Sequence, residues 1–145
     1  MKKSFHWLAS LVLTAAILFA MAVPAVGAIN PRASDYFAAT DVVAIPTGGG
    51  DVVIEVDVDA KRPMLEVGTT KICVYEQQSN GRYENVKTYT RYNTAGMITL
   101  NDAFSFISVT YHGTSGVKYY ATADVYAKDS NGSETLTFST RIVTA

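Results

Sequence analysis

The chain has 145 residues, with 12 Lys plus Arg against 13 Asp plus Glu, two His, one Cys, one Trp and nine Tyr. That is the length of one small domain, and the near-even charge lacks the basic footprint that nucleic acid or an anionic membrane calls for. A single Cys excludes a disulfide within the chain, and two His leave little from which to build a Cys/His or His-cluster active site.

Lys2 and Lys3 precede an uncharged run from Trp7 to Val23, followed by Pro24 and the small-residue site Val26-Gly27-Ala28. Residues 1–28 read as a secretory signal peptide cleaved near Ala28, the alternative being an uncleaved membrane anchor. No Cys follows the apolar run, so a lipoprotein anchor is not expected. The mature form is expected to be secreted, with no membrane attachment. Loss of 1–28 removes Lys2, Lys3, His6 and Trp7, which tips the balance toward acid and leaves His112 as the sole imidazole.

Residues 29–39 suit an exposed lead-in, and 40–145 a single folded domain. Thr40 to Ile45 is β-rich and stops at Pro46, and Gly48-Gly49-Gly50 makes a turn. Val52, Ile54, Val56 and Val58 then alternate with Val53, Glu55, Asp57 and Asp59, the pattern of a half-buried strand. Lys61 to Thr70 contains Pro63 and Gly68 and reads as a loop. Lys71 to Gln77 is a second strand, and Asn80-Gly81 predicts a hairpin that returns as Arg82 to Tyr92.

After a polar turn at 93–96, Met97 to Leu100 suggests a short edge piece and Ser105 to Tyr111 another strand, ended by Gly113 and Gly116. Tyr119, Ala121, Ala123, Val125 and Ala127 form a long small-and-apolar face. Asn131-Gly132 is a second hairpin signal, and Thr135 to Val143 supplies a last strand. No helical period is sustained. About seven strands with turns between them predict an all-β fold, an antiparallel two-sheet β-sandwich, with a small closed barrel as runner-up.

Gly116-Val117-Lys118-Tyr119, Val125-Tyr126-Ala127 with the turn at 129–132, and Ile72-x-Val74 with Asn80-Gly81 resemble the fibronectin type III branch of immunoglobulin-like sandwiches. The resemblance implies a tyrosine corner at Tyr119, its hydroxyl bonded to nearby backbone. Residues 52–58 carry no Trp, and Thr114 and Ser115 stand where that family has Leu and Pro. The chain also looks like small secreted proteins of unknown function from Gram-positive bacteria, a likeness that implies a compartment and no activity.

Several residues invite a chemical reading, each beside an ordinary one. His112 follows a strand, where an exposed His is commonplace. Cys73 alternates with Ile72 and Val74, so it is either a small packed side chain or a thiol that links two chains. Glu55, Asp57 and Asp59 stand about 6 to 7 Å apart along one strand face, a spacing suited to paired acids of a small hydrolase or to calcium, as is the set Asp129, Asn131 and Glu134. A solvated face and a hairpin turn are the preferred accounts of the two sets, since convergent oxygens are scarce and the chain has little spare length to build a cleft. No catalytic residue, metal or cofactor is therefore assigned, and the protein is read as not an enzyme.

The tyrosines are more informative. With 71–77, 82–92 and 119–128 in one sheet, an outward face would present Tyr75, Tyr83, Asn85, Lys87, Tyr89, Arg91, Tyr120, Thr122, Asp124 and Tyr126. Such a face suits stacking on sugar rings or anchoring a protein, although Tyr also simply stabilises exposed strands. The function expected is a non-catalytic binding module that contacts glycan or cell-surface material through Tyr75, Tyr83, Asn85, Tyr89, Arg91, Tyr120 and Tyr126. A protein-interaction or self-associating module is the alternative, and nucleic acid is not an expected partner.

Overall fold

A computed structural model describes residues 34–145; the leader expected over 1–28 and residues 29–33 of the lead-in lie outside the described residues. Seven strands follow in chain order: β1 (Phe37–Gly48), β2 (Asp51–Gln77), β3 (Tyr83–Thr90), β4 (Ile98–His112), β5 (Lys118–Lys128), β6 (Ser133–Ser139) and β7 (Val143–Thr144). All pairings are antiparallel, and all seven strands belong to one sheet. The all-β expectation is met, but the strands are joined into a single curled sheet where two separate sheets were expected. β1 also opens at Phe37, a buried residue inside the stretch read as lead-in.

β2 makes the sheet continuous. Its first half, 51–59, is flanked by β1 and β4; its second half, 66–77, is flanked mainly by β5 and β3. Val52, Ile54, Val56 and Val58 are buried in the first half and Ile72 and Val74 in the second, and both sets join one core with Tyr119, Ala121, Ala123, Val125 and Ala127 of β5. The sheet curls until its far ends touch. Tyr111, paired with Val52, meets Tyr119, paired with Glu76, at 5.6 Å between ring centroids.

Lys61 to Thr70, expected as a loop, is strand throughout. The pairing with β4 slips between Asp59↔Phe104 and Met64↔Asp102, so β2 spends extra residues at the bend, and Pro63 falls where no ladder bond needs its missing N–H. Gly68 is no breaker either. Its φ is +148°, and a Cβ there would lie 2.2 Å from the Met97 carbonyl oxygen and 2.8 Å from Ser105 Oγ. Only glycine lets β2 and β4 close at this point.

Side chains pin the bend from outside. Arg62 pairs with Asp129 at 2.5 Å, its guanidinium lies over the Tyr36 ring, and the Lys61 ammonium donates to the Ser34 carbonyl. The two expected hairpins form by different means. At β2–β3, Gly81 takes φ +81° and the Asn80 side chain accepts the Arg82 N–H at 2.8 Å. At β5–β6, Asp129 does the work of the turn, accepting the N–H groups of Asn131 (2.8 Å) and Gly132 (3.0 Å). β4 runs unbroken where two pieces were expected, while the last strand divides into β6 and β7.

Gly68→Ala is expected to destabilise the fold by about 2 kcal/mol or more, since both the φ angle and the carbonyl contact oppose a Cβ. Urea denaturation of the two proteins checks this; a change within about 0.5 kcal/mol would contradict the close approach of β2 and β4.

Candidate functional site

The outward face of the second half is built by register. Tyr75 stands directly across from Tyr120, and their rings stack at 4.7 Å and 7°. Tyr83, one strand over on β3, meets Tyr120 edge-on at 5.1 Å and 69°. These three tyrosines come together as the sequence suggests, and burial together with its two neighbours raises the Tyr120 phenol above its usual range. Tyr120 packs against both of the others, so the trio is first a packing unit.

β3 does not keep one face outward. Its pairing with β2 runs Gln77↔Tyr83 and Tyr75↔Asn85, then jumps to Val74↔Lys87 and Ile72↔Tyr89, leaving Val86 as the extra residue of a bulge. The bulge reverses which side chains point outward. Lys87 and Tyr89, expected on the tyrosine face, fall on the side of Val74 and Ile72, and Tyr89 packs against the core and donates its hydroxyl to the Thr110 carbonyl at 2.8 Å. Thr88 takes the outward place beside Cys73, with Oγ1 3.7 Å from Sγ. Asn85 stitches the bulge: its amide donates to the carbonyls of Val74 and Lys87, both at 3.3 Å, and accepts from Thr88.

Farther along the face lies a second group. Arg91 pairs with Glu66 at 2.9 Å, and its guanidinium carbon sits 5.8 Å from the ring centres of both Tyr126 and Tyr92. Tyr92 is 90% exposed, the most exposed large hydrophobic side chain among the described residues. Sequence reasoning passed over it as the end of a strand. The only signal was its place between Arg91 and the polar turn at 93–96. Lys71 and Asp124, paired at 2.9 Å, lie between the two groups, and Asp124 accepts from Thr137.

Elsewhere the acidic residues divide by half. Asp57 and Asp59 face outward as expected, and register adds Asp41 directly across from Asp57. Partial burial, then Asp59, then Asp41 raise the Asp57 carboxyl above the usual range. The set at 129–134 is otherwise engaged: Arg62 and the turn N–H groups hold the Asp129 carboxyl below its usual range, and Glu134 accepts from Ser34. His112 Nδ1 lies 2.8 Å from Asp51 and is well exposed. Tyr119 accepts the Thr114 N–H at 2.9 Å and donates to Glu76 at 2.8 Å, which is the backbone contact expected of a tyrosine corner.

Among the described residues no three His, Cys, Asp or Glu side chains converge as a metal site would require, and no helix is long and apolar enough to cross a membrane. The depressions among the described residues include one of about 330 Å³ beside Arg62, Asn101 and Asp129 and one of about 400 Å³ beside Lys87, Tyr89 and Asn93. A comparison with protein-family models and with curated proteins finds no match to this chain.

Because the fold holds the Asp57 carboxyl above its unfolded value, ionisation there opposes folding. The penalty applies above the raised value and disappears as pH falls and the group protonates. Asp57→Asn is therefore expected to raise the melting temperature at neutral pH and to lose that advantage below about pH 3, under the carboxylate range. Thermal melts of both proteins across that span check the sign.

Proposed function

We propose that the chain is a secreted, non-catalytic binding module with an immunoglobulin-like fold, and that it contacts glycan or cell-surface material at the Tyr126–Arg91–Tyr92 end of its tyrosine face. The observation that carries the reading is the position of Arg91 between two tyrosine rings, one of them 90% exposed. A flat, unburied ring beside a guanidinium already anchored by Glu66 suits a sugar: the ring stacks on the pyranose face, and the donors left on Arg91 meet its hydroxyls. Tyr75, Tyr83 and Tyr120, spent largely on one another, hold the platform stiff and contribute edges more than faces. The Tyr119 contact to Thr114 supports the immunoglobulin-like assignment, and the leader over 1–28 supports secretion.

Titration of the protein with a panel of wall polysaccharides, followed by amide NMR, is expected to shift residues 91–93 and 126 in a saturable way. Tyr92→Ala and Tyr126→Ala should each weaken binding about tenfold, while Tyr83→Ala should act mainly on stability. A panel with no response, or a response unchanged by Tyr92→Ala, would overturn the reading.

A further inference from the structure

Charge is unevenly shared between the two halves of the sheet. β1, residues 51–59 of β2, and β4 carry Asp41, Asp51, Glu55, Asp57, Asp59 and Asp102, and no Lys or Arg at all. The strand that borders this acidic half, β4, is also open. β2 pairs with one of its edges, and among the described residues no strand pairs with the other.

The bond from the Gly113 N–H to the Gly50 carbonyl, 3.0 Å, fixes the alternation of the β2–β4 ladder. By that alternation the N–H and C=O groups of Phe104, Phe106, Ser108 and Thr110 point away from β2. The two ends of this row are already closed: Asp102 Oδ1 accepts the Phe104 N–H at 3.2 Å, and the Tyr89 hydroxyl takes the Thr110 carbonyl. Between them lies a row of backbone groups, those of Phe106 and Ser108 foremost, with no strand partner among the described residues.

Phe104 and Phe106 stand over this row, 46% and 48% exposed, directly across from Asp59 and Asp57. Long edges are ordinarily blunted by Lys, Pro or a bulge. β4 has 15 residues and, with neither Lys nor Pro, only Asp102 and the terminal His112 break its neutrality.

The geometry points to the β4 edge from Phe104 to Thr110 as a site that takes an extended cationic peptide as an added strand. Its basic side chains lie over Phe104 and Phe106 toward Asp57 and Asp59, and its apolar ones lie beside Ile107 and Val109. An added strand sits about 4.8 Å from β4 and about 9.6 Å from β2, a span that Lys and Arg cover. Backbone bonds supply affinity, and the alternation of side chains supplies selection. A second copy of the chain is the poorer occupant, because β4 against β4 sets two acidic halves side by side. The mutual repulsion among Asp41, Asp57 and Asp59 is what a cationic neighbour relieves. This surface is separate from the tyrosine face and stands or falls independently of it.

The test is an amide NMR titration of the full chain with an acetylated peptide of alternating Lys and Val, about seven residues long. Saturable shifts are expected at Phe104 to Thr110, with affinity falling about tenfold between about 50 and about 300 mM salt. A peptide of the same composition with its Lys and Val in blocks should bind at least about fivefold more weakly, and an alternating Glu/Val peptide not at all. Ser108→Pro removes an N–H that β2 does not use and should weaken binding about fivefold or more. If that variant fails to fold, the double variant Asp57→Asn, Asp59→Asn carries the test, with the same weakening expected. Absent saturation, shifts elsewhere, equal binding of the blocked peptide or an indifferent variant would overturn the proposal. So would a dimer in light scattering whose β4 amides are protected without peptide, since the occupant would then be a second copy.

Discussion

The structure depends on β2, 27 residues long, finding strand partners on both of its edges on either side of its bend. A strand of that length cannot stay flat while burying one face, because the face would need a second sheet to cover it. β2 supplies its own cover by bending at residues 60–63. The inner residues of its first half then meet those of its second half and of β5 in one core. Arg62 and Lys61, at the bend, face outward to Asp129 and Ser34, so the turning point is held by polar contacts outside and by buried Ala60 and Met64 inside.

The bulge at Val86 decides which β3 side chains the outer surface presents. It hands Tyr89 to the inside, where its hydroxyl caps a carbonyl of β4, and brings Thr88 outward next to Cys73. The tyrosine face thereby loses a member from its middle and separates into a self-packed trio at one end and the Arg91 group at the other. The Cys73 thiol ends up half-buried beside Thr88.

Much of this was legible in the residues and some was not, for definable reasons. Val52 to Val58 and Tyr119 to Ala127 announce themselves because one face is wholly buried, which forces strict alternation. Residues 61–70 mislead because Pro63 and Gly68 look like breakers. Pro63 sits where the ladder slips, and Gly68 where two backbones meet, and neither condition can be read without the partner strand. The parity of Tyr89 is hidden for the same reason, since a bulge is a property of a pair of strands. Tyr75, Tyr83 and Tyr120 meet because no bulge intervenes between them. The exposure of Tyr92 and the open edge of β4 follow from where strands end and what they fail to pair with, which composition and periodicity do not record.

The central place of β2 also sets an order of assembly. Its hairpins with β1 and β3 join residues close in sequence, as does that of β5 with β6, and such hairpins form in roughly 1 to 10 μs. β4 and β5 come later in the chain and must close long loops to reach the two edges of β2 that the hairpins leave bare, pairing Asp51 with His112 and Glu66 with Lys128. High contact order of this kind makes folding slow. Until β4 is in place, the first half of β2 has one bare edge, and the acidic side chains on that half set like charges against one another when two such edges meet.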